Sequence, residues 1–146
     1  MNFSYSGIIE EERVKLKLIE FGYEVALPIF NAPYDLLVRS CDDKWLKIQI
    51  KKIQLETQRT KNVVRKLNIR KCGTYKTQKY EKDDVDYFIG VDGMNFYIIS
   101  HAEVLGQWGT NVNSRPMNNW KDLPKPYNYV ESKLEIIDDS QEVMNL

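Results

Sequence analysis

Residues 31–52 read NAPYDLLVRSCDDKWLKIQIKK, and the pairing of the two apolar runs inside them decides the fold. Tyr34–Val38 is short and aliphatic, as strands are. Trp45–Ile53 alternates, with Leu46, Ile48 and Ile50 on one face and Lys47, Gln49 and Lys51 on the other. Between the runs, Cys41-Asp42-Asp43 suits a three-residue hairpin loop in which Ser40 pairs with Lys44. Paired positions then keep that constant sum, and Asp35 falls opposite Gln49. Directly opposed residues point to the same face, and Lys51, two further along, shares it. A slip of one residue would set Asp35 against Ile50 and scatter the group.

A carboxylate, an amide oxygen and an ammonium on one strand face suit phosphodiester hydrolysis. A divalent ion held by oxygen ligands polarises the phosphate and lowers the pKa of a bound water, and a lysine can orient or deprotonate that water. Hard Mg²⁺ prefers one or two carboxylates with substrate oxygens and waters. Asp35 is the only acid of the hairpin cluster, so a second carboxylate is sought on the preceding helix. Residues 6–21 carry apolar side chains at near-helical spacing, and Gly22 is a natural C′ residue. With Ile8 at zero and roughly 100° per residue, Val14 lies at about 240°, Leu18 at about 280° and Ile19 at about 20°. Glu11 falls at about 300°, inside this apolar sector, Glu10 at about 200°, on a face assigned to solvent, and Glu12 at the edge. A carboxylate on the buried side needs a partner, which makes Glu11 the third ligand beside Asp35 and Gln49.

The chain has 146 residues and no net charge, with 42% hydrophobic and 29% charged residues. That bounds it to one domain, residues 1–146, able to bury a core. No apolar run is long enough to span a membrane and no signal-peptide pattern opens the chain, so a cytoplasmic protein without a membrane partner is expected. Cys41 and Cys72 match no metal spacing and are read as free thiols. His101, the one histidine, leaves a zinc site without ligands and reads as a structural, hydrogen-bonded residue.

The zero charge hides segregation. Residues 44–82 hold thirteen Lys or Arg against Glu56 and Glu81, a local charge of +11, whereas residues 131–146 carry five acids and one lysine, or −4. A polyanionic partner is therefore compatible with neutrality. Residues 55–82 lack a core pattern. Val63–Ile69 could form one strand, and the turn Gly73-Thr74-Tyr75-Lys76 leads into a second, a ribbon of the size a DNA major groove admits. Phosphates need cations, and base edges are read by Arg, Lys, Asn and Gln. The DNA-contacting set is Lys52, Arg59, Lys61, Arg65, Lys66, Arg70, Lys71, Tyr75, Lys76, Gln78 and Lys79. Further along, Tyr87–Val91 and Phe96–Ile99 form a hairpin around Asp92-Gly93-Met94-Asn95. Ala102–Leu105 suits one helical turn, and residues 108–130 suit an ordered, irregular loop. Asp83, Asp84 and Asp86 read as a turn and strand start. The three tryptophans read as core or subunit-interface aromatics.

Pro33-Tyr34-Asp35 followed by Gln49-Ile50-Lys51 resembles the signature of the PD-(D/E)XK nucleases, with Gln49 where an acid is usual. Gly7-x-x-x-Glu11, Gly22-Tyr23-x-Val25, Pro28 and the strand Lys47–Lys51 extend the likeness to small Holliday-junction-resolvase-like endonucleases. It is strongest for the homing endonucleases of this class encoded by cyanobacterial group I introns, over roughly residues 7–100. The resemblance implies an α/β fold (an α+β mixed sheet): a restriction-endonuclease-like core with flanking helices and the basic ribbon of about 55–82 as an insertion. It implies metal ligands Glu11, Asp35 and Gln49, a catalytic set of these three with Lys51, and Mg²⁺ (or Mn²⁺) as cofactor. The function expected is sequence-specific, Mg²⁺-dependent double-strand cleavage of DNA by a homing endonuclease. The alternatives are a structure-specific, junction-resolvase-like nuclease and a catalytically inactive DNA-binding protein. One small protomer reads only a short tract, so a homo-oligomer, dimer or tetramer, is expected.

Overall fold

A computed structural model of the chain describes residues 5–72 and 77–130. Helix α1 (Tyr5–Glu20) ends in a Schellman motif. Tyr23 N–H donates to the Leu18 carbonyl at 2.9 Å and Gly22 N–H to Ile19 at 3.0 Å, with Gly22 at φ 92° as the left-handed C′ residue. The chain then turns into a short strand β1 (Val25–Ala26), followed by β2 (Leu36–Arg39) and β3 (Trp45–Lys52). After an excursion through β4 (Gln54–Thr57), β5 (Val63–Asn68), β6 (Lys71–Cys72) and β7 (Thr77–Gln78), it returns to β8 (Tyr87–Asp92) and β9 (Asn95–Ser100). A 3₁₀ turn (His101–Val104), β10 (Gly109–Asn111) and a second 3₁₀ turn (Trp120–Asp122) follow. Among the described residues no helix is long and apolar enough to cross a membrane.

The central sheet has the order β1-β2-β3-β8-β9, with β3 parallel to β8 and every other pair antiparallel. It is a mixed sheet, as expected. The β2–β3 register is the expected one: Leu36 faces Ile48, Val38 faces Leu46, and Ser40 N–H closes the loop on the Lys44 carbonyl at 2.8 Å. The β8–β9 hairpin is likewise as expected, closed by Asp92 opposite Asn95 with Gly93 at φ 63°.

Both faces of the sheet are covered, so β8 and β9 are buried almost throughout. On one face Val14 and Leu18 of α1 pack with Leu36, Val38, Ile48, Ile89 and Phe96, all under 2% exposed. Each fully buried aliphatic of this kind contributes roughly 1.5–3 kcal/mol. Among the described residues α1 is the only α-helix, fewer than the flanking helices the resemblance implied. The other face is covered by the segment read as core-free. Leu67, Ile69 and Tyr80 are buried against Phe88, Tyr97 and Ile99. The expected two-stranded ribbon is instead a three-stranded antiparallel sheet, β10-β5-β4, beside a separate β6-β7 pair. Only one side of β5 is apolar and its partner β10 lies 40 residues on, so the window 55–82 alone carries too few apolar positions to reveal a core.

Residues 108–130 are irregular apart from β10 and the 3₁₀ turn at Trp120–Asp122, but they complete the sheet edge. The Asn119 side chain accepts from Ile98 N–H at 2.9 Å and donates to the Ile98 carbonyl at 2.8 Å. Asn118 accepts from Phe96 N–H at 2.9 Å. Two asparagines thus do for β9 what a further strand would do. Trp120 packs on Phe21 and Phe96, as a core aromatic should, whereas Trp45 and Trp108 lie at the surface. His101 is buried with Nδ1 2.9 Å from the Val85 carbonyl, a structural residue. Asp84 accepts from Glu81 N–H and Asp86 from Lys47 N–H, which makes the acidic run a turn and strand start. The turn at 73–76 and the acidic tail from 131 lie outside the described residues.

Candidate active site

Strand β2 stops at Leu36 while β3 runs on to Lys52, so β3 loses its neighbour where the two strands part. Asp35 stands at the fork. Its N–H donates to the Ile48 carbonyl at 2.8 Å, and its carboxylate accepts from Ile50 N–H at 2.9 Å, taking the place of the missing strand. The first turns of α1 close the open side. Gly7, Glu10, Glu11, Asp35, Gln49, Ile50 and Lys52 line one cleft of about 300 Å³. Glu11, Asp35 and Gln49 are therefore brought together at one cleft.

Burial dominates the electrostatics of the cleft. Burial raises the Asp35 carboxyl above its usual range, against the Ile50 N–H bond and the Lys51 charge, which lower it. Burial also raises Glu11, and the Asp35 charge pushes it the same way. Two carboxylates both raised by burial, one of them raised further by the charge of the other, are suited to a cation. No three His, Cys, Asp or Glu among the described residues converge to hold an ion by themselves. Amide oxygen, backbone and water would have to complete a shell, which is the manner of Mg²⁺.

Lys51 shares the strand face of Gln49 but is tied on the far side of the fork. Its ammonium donates to the Arg70 carbonyl at 3.1 Å and lies 5.3 Å from the Tyr80 ring centre. Its charge still reaches Asp35. Lys52, assigned to DNA, is exposed and lines the cleft.

One assignment is corrected. Glu10, placed on the solvated face, is 7% exposed and belongs to the cleft. Ile8 and Ile19, apolar residues of the expected buried sector, are 45% and 58% exposed. The buried stripe is centred on Val14 and Leu18, and Glu10 lies one helical repeat before Val14 on the same side. The signal that would have found it was the i, i+4, i+8 series 10, 14, 18.

The sequence matches the PD-(D/E)XK endonuclease family over residues 1–132. The chain belongs to that family. The fold agrees: a solved bacterial homing endonuclease, I-Ssp6803I, superposes with a TM-score of 0.60 at 17% identity, over 93% of both chains. No curated protein matches the sequence.

The basic residues of this endonuclease fall into three groups. Arg65 pairs with Asp92 at 3.0 Å, Lys66 with Glu56 at 3.6 Å and Lys71 with Asp84 at 2.9 Å. Arg70 and Lys79 lie over the Trp108 ring, 5.8 and 4.9 Å from its centre. Arg59 and Lys61, at the exposed tip of the β4–β5 hairpin, have no acidic partner among the described residues. Gln78 is exposed on β7, and Tyr75 and Lys76 lie outside the described residues.

Proposed function

We propose that the chain is a sequence-specific, Mg²⁺-dependent homing endonuclease that makes double-strand breaks in DNA. The observation that carries the reading is the cleft itself, with Glu11, Asp35 and Gln49 at the strand fork and Lys52 in its lining. Glu11, Asp35 and the Gln49 amide oxygen would hold the ion, which when bound supplies Lewis-acid activation of the scissile phosphate and its water. Lys51 orients the attacking water; as an ammonium it neutralises the phosphoryl oxygens, and only after losing its own proton to solvent, as a neutral amine, would it take the water's proton. To do so its ammonium exchanges the Arg70 carbonyl for the substrate. Burial of Asp35 keeps bulk water from competing for the same oxygens.

Sequence readout falls to the β4–β5 hairpin, where Gln54, Gln58 and Asn62 stand among Arg59 and Lys61 on an exposed surface. That variety of side chains favours base reading over the shape reading of a junction resolvase. The full-length likeness to a bacterial homing endonuclease supports the same choice. One cleft cuts one strand, so a double-strand break calls for a symmetric homo-oligomer. The exposed Leu27, Ile29 and Phe30 are apolar surface of the kind a second copy covers.

The test is a plasmid-cleavage assay in Mg²⁺ with Lys51→Ala, paired with a gel-shift measurement in Ca²⁺. Cutting is expected to fall by about a hundredfold or more, the scale of a lost acid–base group, with DNA affinity retained. Undiminished cutting by Lys51→Ala would remove the assignment.

A further inference from the structure

Helix α1 brings to the cleft a carboxylate that the nuclease motif does not include. Glu10 is 7% exposed, lines the same cleft as Glu11, Asp35 and Gln49, and has its Oε1 buried without a hydrogen-bond partner. Keeping such an atom is costly, and an apolar residue there would simply extend the Val14–Leu18 stripe. The nearby helical cations are occupied elsewhere: Lys15 pairs with Glu12, Lys17 with Glu20, and Arg13 donates to the Gly93 carbonyl. Across the cleft, the position the motif ordinarily fills with an acid is the neutral Gln49. The cleft nevertheless holds three carboxylates, because Glu10 joins Glu11 and Asp35.

We propose that Glu10 supplies the negative charge that Gln49 lacks, holding a divalent cation through the cation's own waters. The side chains that line the cleft do not converge into a three-acid cage, and Mg²⁺ sheds its waters reluctantly. A carboxylate one water removed from the ion fits both facts. A turn of the Glu10 side chain that brings this unsatisfied oxygen into the cleft makes it the acceptor for a metal-bound water, and the acid has moved from the strand to the helix with the total charge unchanged. Glu10 is a positioning residue for the ion, and the inference rests on the metal-dependent nuclease reading above.

The experiment is calorimetric titration of the DNA-free protein with Mg²⁺, on wild type, Glu10→Gln, and Glu10→Gln combined with Gln49→Glu. Glu10→Gln is expected to weaken binding by about tenfold, the scale of losing a group that orients a metal's shell, and the added Gln49→Glu to recover most of that loss. Thermal unfolding without cation separates lost affinity from lost fold, because Glu10→Gln removes an unpartnered charge and is expected to be at least as stable as wild type. Equal affinity in wild type and Glu10→Gln would overturn the proposal while leaving the metal-dependent reading standing. So would a double variant as weak as Glu10→Gln alone, or a cation-free Glu10→Gln protein less stable than wild type. A wild-type protein that binds no divalent ion would overturn both.

Discussion

At Asp35 the needs of the fold and of the site oppose each other. Its carboxylate substitutes for a missing strand at Ile50, yet burial raises its pKa above the ordinary 3.8. An acid whose folded pKa exceeds its unfolded one is bound to its proton more tightly in the fold. It therefore costs the metal-free protein stability at neutral pH, and that cost is relieved as pH falls through the raised value. Asp35→Asn, which keeps an acceptor for Ile50, is expected to be more stable than wild type at pH 7 without cation. Denaturant unfolding at pH 7 and in acid checks this. The advantage should vanish in acid, and a variant less stable than wild type at neutral pH would show that the Ile50 bond outweighs burial. The register that sets Asp35 near Gln49 was legible in the sequence because a two-residue period and a short loop leave only one pairing. Glu10 was not, because helical angles need a reference, and Ile8 and Ile19, apolar but exposed, shifted it.

At the scale of elements, hairpins closed by their own loops were legible and pairings imposed from afar were not. The β2–β3 and β8–β9 pairs have turn residues between alternating runs. Strand β10 is Gly-Thr-Asn, with no strand pattern of its own, and exists because Thr110 lies opposite Leu67. The second core forms where β5 crosses the sheet, and there β8 carries Gly90. A Cβ at Gly90 would stand 2.6 Å from Ile53 Cδ1 and 3.0 Å from Leu67 Cδ1. Gly90→Ala is therefore expected to cost about 1–3 kcal/mol through overpacking, read as a lowered denaturant midpoint with unchanged slope. An unchanged midpoint would mean that Ile53 yields freely and that the β5 layer is loosely packed.

Across the whole molecule, the +11 tract is only partly available to DNA. Arg65, Lys66 and Lys71 are answered by Asp92, Glu56 and Asp84, whereas Arg59 and Lys61 extend from the hairpin tip without an acidic partner among the described residues. Binding should weaken with salt by a log–log slope of about −0.9 per phosphate contact. Arg59→Ala or Lys61→Ala should each flatten that slope by about one contact. Lys71→Ala should alter it less and chiefly disturb the Asp84 turn. Fluorescence anisotropy between low and moderate salt decides it, and a slope indifferent to Arg59 and Lys61 would move the DNA surface elsewhere. The charge segregation was legible in the sequence. Its partial neutralisation was not, since Asp84 and Asp92 lie beyond the basic window and reach it only through the fold.

The proposed chemistry is a metal-dependent cut made at the Asp35 cleft. Its most direct measurement is cleavage of a randomised duplex-DNA library by wild type and Asp35→Asn, in Mg²⁺ and in EDTA, with the new ends sequenced. Wild type in Mg²⁺ should yield paired ends within one class of sequence, and both EDTA and Asp35→Asn should abolish them. Cutting that persists undiminished in EDTA, or in Asp35→Asn, would contradict the account.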